Sequence, residues 1–469
     1  ASYEWMAAIS LIIVGKYFLP IFIEKGLYTI PEFLEKRYNA QVKSVLAVFW
    51  VVLFIFVNLT SVLYLGATAL DTVVGNGDKS LLMYGIFGLA LFTAAYSLWG
   101  GLSSVAWTDI IQVVLLVAGG LITTFIALSH VSPDETLIGG VRYIFERAPE
   151  KFDMILSPDN PEYKNLPGIA VLVGGMWIAN VYYWGFNQYI IQRTFAAKSL
   201  KESQKGIIFA ALLKMVIPII VVVPGIIAYV IFMDNPDVVA EFTRIDGTIE
   251  NDKAYPWLIS NFVPMGLKGL VLAALAAAIV SSLASMLNST ATIFTMDIYK
   301  PLIHKEASNK RMVNVGRITG LAGLAIAIIV APLLGGIDQA FQYIQEWTGI
   351  VSPGILAIFI LGLFWKKTTA RAAITGAILS VPVALYFKIA PKGWSDSALF
   401  VDLPFMHQMG LTFLITAIIM LVLSHFQNKG QDDQKGITLS KTLFKTSPTF
   451  NVLSFAVILL LVILYALFW

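Results

Sequence analysis

A long apolar stretch near the middle of the chain carries hydroxyl groups at a depth where a membrane helix is usually hydrocarbon. As a helix, residues 267–299 would extend about 50 Å, more than the thickness of a bilayer core. Ser281 and Ser282 lie near its middle, one turn after the backbone carbonyl of Ala278. Two hydroxyls and a carbonyl are hard ligands that a small cation accepts in place of water. The alternative is that both serines bond to carbonyls of their own helix and only help packing.

Three ionisable residues lie in or beside apolar stretches. Lys214 is about eight residues, or about 12 Å, into one of them. A buried ammonium costs several kcal/mol unless it is paired, so Lys214 indicates either a binding site or a structural ion pair. Glu4 is either a ligand in the same site or a solvated acid in a first helical turn. Asp109 is either a carboxylate beside a cation route or an acid favoured by the helix dipole.

The segment WIANVYYWGFNQYIIQR, residues 177–193, combines an amide with a run of aromatic residues. Asn180 falls inside the membrane, Tyr183 and Trp184 follow, and Gly185 is the predicted point where the helix breaks. Broken helices expose backbone groups and form the binding sites of transporters. The alternative is an aromatic belt at the membrane interface.

The composition sets the class of protein to which these residues belong. The chain has 469 residues, of which 58% are hydrophobic and 13% charged. Such a chain exposes too much apolar surface to be a water-soluble domain, so it is a polytopic, all-α membrane protein. Apolar segments of about 20 residues predict twelve spans: 2–23, 44–70, 81–99, 104–129, 168–191, 207–233, 267–299, 313–333, 338–365, 372–388, 405–425 and 449–468. A turn at Gly100 and Gly101, with Ser103 or Ser104 as helix cap, is predicted between the third and fourth spans.

Basic residues are unevenly distributed between the two sides of the membrane. Alternate predicted connections carry 20 Lys and Arg on one side and 10 on the other, although the loops of the second side are longer. Cytoplasmic loops are the richer in basic residues, so both ends of this chain are predicted to face outward.

Several other classes of function lack support in the sequence. The chain has no cysteine, and its four histidines are scattered without the spacing of metal ligands, so a membrane enzyme is disfavoured. An ion channel remains an alternative that broken helices also fit. The sequence opens at Ala1 within an apolar run, so we expect that further helices precede it.

Four segments together resemble the sodium:solute symporter family. They are YSLWGGLSSVAWTD, ANVYYWGFNQYIIQR, ALAAAIVSSLASMLNSTATIFTMDIY and GLFWKKTTARAAITGAI. The resemblance covers nearly the whole chain. It implies two inverted repeats of five helices, with sodium and substrate held at mid-membrane between the broken first helices of the two repeats.

On this resemblance the chain is one transport domain, 1–469, that lacks the first helices of the family pattern. The remainder of repeat one is about 1–130, repeat two is about 168–365, and additional helices occupy about 372–468. The resemblance further implies a bacterial inner membrane, sodium as the co-transported ion, a sugar such as galactose or glucose as substrate, no nucleic-acid partner, and a monomer sufficient for transport.

The family's functional positions map onto twelve residues of this chain. The sugar site implied by the resemblance is Glu4, Asn180, Lys214 and Gln345; the sodium ligands are Ala278, Ser281 and Ser282, with Asp109 on the exit path; the gates are Tyr3 and Phe341 outside, Tyr183 and Trp184 inside. Acids, amides and an ammonium suit a pyranose, whose hydroxyls both donate and accept hydrogen bonds.

One position departs from the pattern of the family's galactose carriers. They have a serine one turn after the acid of the sugar site, where this chain has Ala7. The preferred sugar therefore stays open, and a proline, osmolyte or vitamin carrier of the same family is the alternative prediction.

Overall fold

The computed structural model describes residues 1–27, 29–75, 79–243, 247–336, 339–392 and 402–469, except for the side chains of 98–108, 236, 336 and 392. The described residues are almost entirely helical, and among them the only β-type pairing is one isolated bridge between Thr243 and Ile249. The predicted all-α class is confirmed.

Fifteen helices are used in the description below, and the short helices Ala170–Val173 and Pro236–Phe242 stay unlabelled. They are α1 Ser2–Glu24, α2 Ile30–Arg37, α3 Ala40–Val74, α4 Leu82–Val131, α5 Leu137–Arg147, α6 Gly175–Phe186, α7 Gln188–Phe195, α8 Leu200–Asp234, α9 Ala254–Phe262, α10 Met265–Ile303, α11 Asn309–Gly335, α12 Ala340–Phe364, α13 Ala370–Ile389, α14 Phe405–Gln427 and α15 Pro448–Leu467.

Ten of the twelve predicted spans coincide with helical stretches in the described residues that are long and apolar enough to cross a membrane. The predicted span 81–99 corresponds to a shorter apolar helix, Leu82–Ser97. The predicted span 168–191 is divided between α6 and α7.

Helix α4 is one element of 50 residues, but its two described halves run in opposite directions. Just before α4, Lys79 pairs with Glu250 at 2.6 Å, and in its last turn the His130 ring lies 5.7 Å from that of Phe262. A straight helix of this length would span about 75 Å, far more than residues 250–262 can bridge.

Along α10, Leu89 lies beside Ile279 at Gly66 and Ser97 bonds to Asn288, so the first half of α4 advances with α10. Asp109 then bonds to Ser281 and Gly119 lies beside Val271, so the second half runs against it. The chain therefore reverses between Ser97 and Asp109.

This reversal agrees with the two predicted spans 81–99 and 104–129. The predicted turn itself, with Gly100, Gly101, Ser103 and Ser104, falls on residues 98–108, whose side chains are outside the described part of the chain.

The break between α6 and α7 lies at Asn187, two residues later than predicted. The prediction that the helix breaks at Gly185 is wrong, because α6 continues through Gly185 to Phe186. A β-carbon at position 185 would lie 3.0 Å from the Phe18 ring and 3.2 Å from a Val14 methyl group. Gly185 is thus needed for the close approach of α6 to α1.

Three long helices contain wide, π-helical turns that the sequence did not predict. They are Val14–Phe18 in α1, Phe54–Leu59 in α3 and Phe294–Ile303 in α10. Such turns locally displace side chains and are frequent at functional sites.

Aromatic packing joins α1, α2, α6 and α12 at one end of the bundle. Phe186 stacks on Phe359 with ring centroids 4.4 Å apart and on Phe18 at 5.1 Å, while Phe33 stacks on Phe359 at 5.2 Å. This packing fixes the end of the broken helix against three neighbours.

Helix α2 begins and ends with well-defined caps. The Thr29 hydroxyl accepts a hydrogen bond from the Glu32 amide, as the sequence TIPE predicts. At the other end the buried Arg37 donates to the carbonyls of Gly362, Trp365 and Thr368 at 2.8–3.2 Å, just beyond and within the last turn of α12.

Candidate functional site

A central cavity of about 910 Å³ contains every residue that the sequence assigned to the site. Five labelled long helices and the broken helix α6 supply them. The twelve residues that line the cavity are Tyr3, Glu4, Asp109, Asn180, Tyr183, Trp184, Lys214, Ala278, Ser281, Ser282, Phe341 and Gln345. The packing of α1, α4, α8, α10 and α12 around α6 thus brings residues up to 342 positions apart in the sequence to one cavity.

An ion pair crosses the cavity wall between α1 and α8. The Lys214 ammonium donates to a Glu4 carboxylate oxygen at 2.5 Å and lies 4.7 Å from the centre of the Trp184 ring. Both charged side chains are partly exposed, 19% for Lys214 and 30% for Glu4. Glu4 is therefore not the solvated acid of the alternative interpretation, and the pair still presents donors and acceptors to the cavity.

Aromatic pairs lie at two places on the cavity wall. Tyr3 and Phe341 meet edge to face with ring centroids 5.4 Å apart. The Tyr189 hydroxyl donates to that of Tyr183 at 2.7 Å, and the Tyr183 ring also meets Trp184 at 5.0 Å. The four predicted gate residues are thus in ring contacts at two places on the wall of the cavity.

The two amides of the predicted sugar site, Asn180 and Gln345, lie on different helices of the cavity wall. Asn180 is 6% exposed, and its amide nitrogen donates to the Met176 carbonyl at 3.1 Å, one turn earlier in α6. Asn180 also lines the cavity. Gln345 lies on the cavity wall one turn beyond Phe341, so the two amides approach the space from α6 and α12.

The oxygen ligands predicted for sodium form part of a charged cluster. The Ser281 hydroxyl donates to the Asp109 carboxylate, which also accepts two hydrogen bonds from the Arg193 guanidinium at 2.6 and 3.0 Å. Arg193 donates in addition to Ser285 at 2.8 Å. Ser281 thus bonds across to α4 and not to its own helix, unlike the packing alternative.

This cluster suits a small hard cation. Hydroxyl, carbonyl and carboxylate oxygens are ligands of that type. Within the described residues there is no group of three His, Cys, Asp or Glu side chains that could hold a transition metal. The Arg193 guanidinium contacts the same carboxylate and the Ser285 hydroxyl one turn further along α10, so it competes with a cation for the Asp109 carboxylate.

Two cavity residues were missed by the sequence reasoning. Asn58 is 5% exposed, lines the cavity, and its carbonyl oxygen has no partner in the described part of the chain. The signal was an amide in the middle of the apolar span 44–70. Arg193 fitted the alternative of an interfacial belt for residues 177–193, although a basic residue two turns after a predicted helix break indicated a partner within the bundle.

Comparison with known proteins now decides the family. The family model described as "Sodium:solute symporter family" matches residues 1–380. The chain belongs to the sodium:solute symporter family.

The symporter is similar to several characterised proteins. It is 56% identical, over 100% of this chain and 84% of the relative, to "Sodium/glucose cotransporter" of Vibrio parahaemolyticus. It is 30% identical to "Sodium/glucose cotransporter 1" of Ovis aries over 91% of this chain and 68% of that protein, and 32% identical to "Sodium/myo-inositol cotransporter 2" of Homo sapiens over 82% and 58%.

A solved structure shares the fold. It is titled as the substrate-bound outward-open state of a Na+-coupled sialic acid symporter, with a TM-score of 0.74, 22% identity and coverage of 91% of this chain and 83% of that one. The symporter is thus a multi-pass, sodium-coupled membrane carrier and not an enzyme.

Proposed function

We propose that this symporter imports a monosaccharide such as galactose or glucose together with sodium by alternating access. The observation that carries the proposal is the single cavity in which the Glu4–Lys214 pair, two aromatic contacts and the oxygens of α10 lie together. The similarity to sodium/glucose cotransporters supports a sugar as the substrate.

The sugar is held by Glu4, Lys214, Asn180 and Gln345, to which we add Asn58. The ion pair gives charged donors and acceptors, and the amides give one of each, which matches hydroxyls that donate and accept. Trp184 and the gate residues Tyr3, Tyr183 and Phe341 cover the apolar face of the ring. Ala7 leaves room and no hydroxyl at the position where galactose carriers have serine.

Sodium is bound by the Ala278 carbonyl with the hydroxyls of Ser281 and Ser282, and leaves past Asp109. Sodium couples to sugar because it has a higher affinity for the outward-open conformation, which binds sugar, than for the inward-open one. Each sodium entering gains about 2.3 kcal/mol per 100 mV of membrane potential, in addition to its concentration gradient. After sodium has left, Arg193 pairs with the Asp109 carboxylate, and this pairing opposes the return of the ion.

The remaining proposals concern the arrangement of the whole chain. The core consists of two inverted repeats, about 1–130 and about 168–365, followed by additional helices, about 372–468. The chain lies in the bacterial inner membrane with both of its ends outward, and a monomer suffices for transport. The asymmetry of basic residues supports this orientation.

Uptake into proteoliposomes tests the substrate and the coupling. Radiolabelled galactose and glucose are supplied with an inward sodium gradient and with an equal gradient of choline, and unlabelled myo-inositol and proline are added as competitors. We expect concentrative, sodium-dependent uptake that the other hexose inhibits and proline does not. Equal uptake in sodium and choline would refute the coupling, and inhibition by proline alone would refute the sugar.

A further inference from the structure

The side chain of one residue on the cavity wall, Asn187, has neither of its two polar atoms paired within the part of the chain that the structure describes. The Asn187 side chain is 1% exposed and lines the central cavity. Neither its amide nitrogen nor its carbonyl oxygen makes a hydrogen bond. An amide buried in this way has lost its water without compensation, so it destabilises the present conformation.

The backbone at this position does not explain the choice of asparagine. Asn187 joins α6 to α7 with φ −90° and ψ 117°, a conformation that most residues adopt. Its carbonyl already accepts from the amides of Ile190 and Ile191 at 3.1 and 3.0 Å, so the first turn of α7 is capped by the main chain. The side-chain amide therefore has no structural role in this conformation.

A pair of tyrosines bridges the break at Asn187. Tyr183 lies four residues before Asn187 and Tyr189 two residues after it, and their hydroxyls are joined by the 2.7 Å hydrogen bond. Their rings meet at 5.9 Å in an edge-to-face contact. Because both residues flank the break, a change in the angle between α6 and α7 separates the rings and uncovers the Asn187 amide.

The cavity continues past this tyrosine pair. Thr194, Glu202 and Ser203 line the same space, and Glu202 is exposed at the surface. Asn187 therefore lines the same cavity as the Glu4–Lys214 pair and the residues of this opening.

We propose that Asn187 is a transit ligand for the sugar, which pairs with its hydroxyls after the Tyr183–Tyr189 contact has opened. This inference rests on the proposed function. An amide has one group that donates and one that accepts, so it can pair with two adjacent hydroxyls of a pyranose at once. Asn187 binds the sugar only during release, so it sets the rate of transport and not the affinity of the closed central site.

Two isosteric substitutions test the proposal in reconstituted protein. Asn187→Leu removes the polar atoms, and Asn187→Asp keeps two oxygens. We expect Asn187→Leu to raise the melting temperature, because a buried unsatisfied amide is replaced by an apolar group. We expect the same variant to lower the maximal rate of sodium-driven galactose uptake at least fivefold, with equilibrium galactose binding within twofold of wild type. Asn187→Asp should keep more of the rate than Asn187→Leu.

Ser289→Ala is the matched control. Ser289 is also fully buried without a hydrogen-bond partner, but it lies off the cavity. The Ser289→Ala variant should have a melting temperature equal to or above that of the wild type. It should take up galactose at the wild-type rate. A wild-type rate in Asn187→Leu overturns the transit role, and a lower melting temperature in that variant overturns it in favour of a structural one. Failure of the proposed function is distinct, because the wild-type protein itself would then show no sodium-driven uptake.

Discussion

At the scale of single residues, the proposed sugar site contains a lysine with two partners of different kinds. The Lys214 ammonium is held by the Glu4 carboxylate and by the face of Trp184. Each partner replaces part of the hydration that the ammonium loses in the cavity wall. Removing either charge leaves the other without its oppositely charged partner, so single substitutions should affect stability as well as binding.

The ion pair yields a prediction from a double-mutant cycle. Glu4→Gln and Lys214→Met should each lower the melting temperature and weaken galactose binding more than tenfold, or by about 1.4 kcal/mol. The double variant should recover stability but not binding, because both charges leave together. Thermal denaturation of the purified protein with and without galactose measures both effects.

The exposed pair of Arg142 and Glu146 provides the control for this cycle. Its atoms are 3.0 Å apart, but both side chains are more than half exposed, so Arg142→Gln should change stability little. If Lys214→Met kept the full stabilisation by galactose, Lys214 would not belong to the sugar site.

The serines of α10 yield a prediction about the ion. Ser281→Ala removes a hydroxyl next to Asp109 and should lower the apparent affinity for sodium in uptake assays about tenfold, with little change in the sugar affinity at saturating sodium. Ser289→Ala, two turns along the same helix, should leave the apparent affinity for sodium unchanged. An unaltered sodium dependence in Ser281→Ala would place the ion elsewhere.

The sequence reasoning found polar residues whose surroundings are conspicuous and missed those whose partners are distant. Lys214 and the serine pair stand out because their segments are otherwise apolar. Arg193 looked like an interfacial residue, since its partner Asp109 is 84 positions away. Asn58 gave the same signal as Asn180, but its aromatic neighbours are Phe54 and Phe56 and not a run of Tyr and Trp.

At the scale of helices, Arg37 joins α2 to the end of α12. Its guanidinium and Nε donate to carbonyls that the helix end leaves without amide partners, and the side chain is 1% exposed. It also lies 3.6 Å from Asp433. A cation at a helix C-terminus is stabilised by the helix dipole as well.

We predict that Arg37→Gln destabilises the protein without changing its substrate. The loss of several hydrogen bonds from a buried charge should cost about 3 kcal/mol and lower the melting temperature, while the galactose affinity stays within twofold. The neighbouring Lys36→Gln affects an ion pair with Glu32 and a hydrogen bond to the Lys25 carbonyl, both solvent-accessible, and should lower the melting temperature much less. Equal melting temperatures for the two variants would contradict this account of α2.

The position of a helix break depends on packing that the local sequence does not contain. Glycine at position 185 indicated a break, yet its missing side chain serves the contact with Phe18 and Val14 on α1. The break at Asn187 and the π-helical turns in α1, α3 and α10 lack a distinctive local pattern, since they follow from how neighbouring helices fit. In contrast, the Thr29 cap of α2 was predictable because a cap is a local interaction.

At the scale of the whole molecule, hydropathy predicted the membrane spans, and the distribution of basic residues predicted an orientation. Spans follow from composition over about 20 residues, which is why ten of the twelve coincide with long helices. The antiparallel halves of α4 and the division between α6 and α7 required the tertiary structure. No local pattern could show that residues from α1, α8 and α12 would line one cavity.

The absence of cysteine makes the predicted orientation directly testable. A single thiol is introduced by Asp159→Cys, on an exposed loop after α5, or by Lys305→Cys, in the exposed turn after α10. A membrane-impermeant maleimide added to intact spheroplasts should label the first and reach the second only after permeabilisation. The unsubstituted protein is the control, and the reverse pattern would invert the proposed topology.

The contact between Tyr3 and Phe341 has a consequence for the resting carrier. Such an edge-to-face pair contributes about 0.5–1.5 kcal/mol, less than the work of moving one elementary charge across about 100 mV. If this pair is the main contact that closes the outer gate, the membrane potential acting on one displaced charge is enough to shift the empty carrier between its outward-open and inward-open conformations. The fraction of empty carriers in the outward-open conformation would then differ between respiring and de-energised cells even before substrate is added.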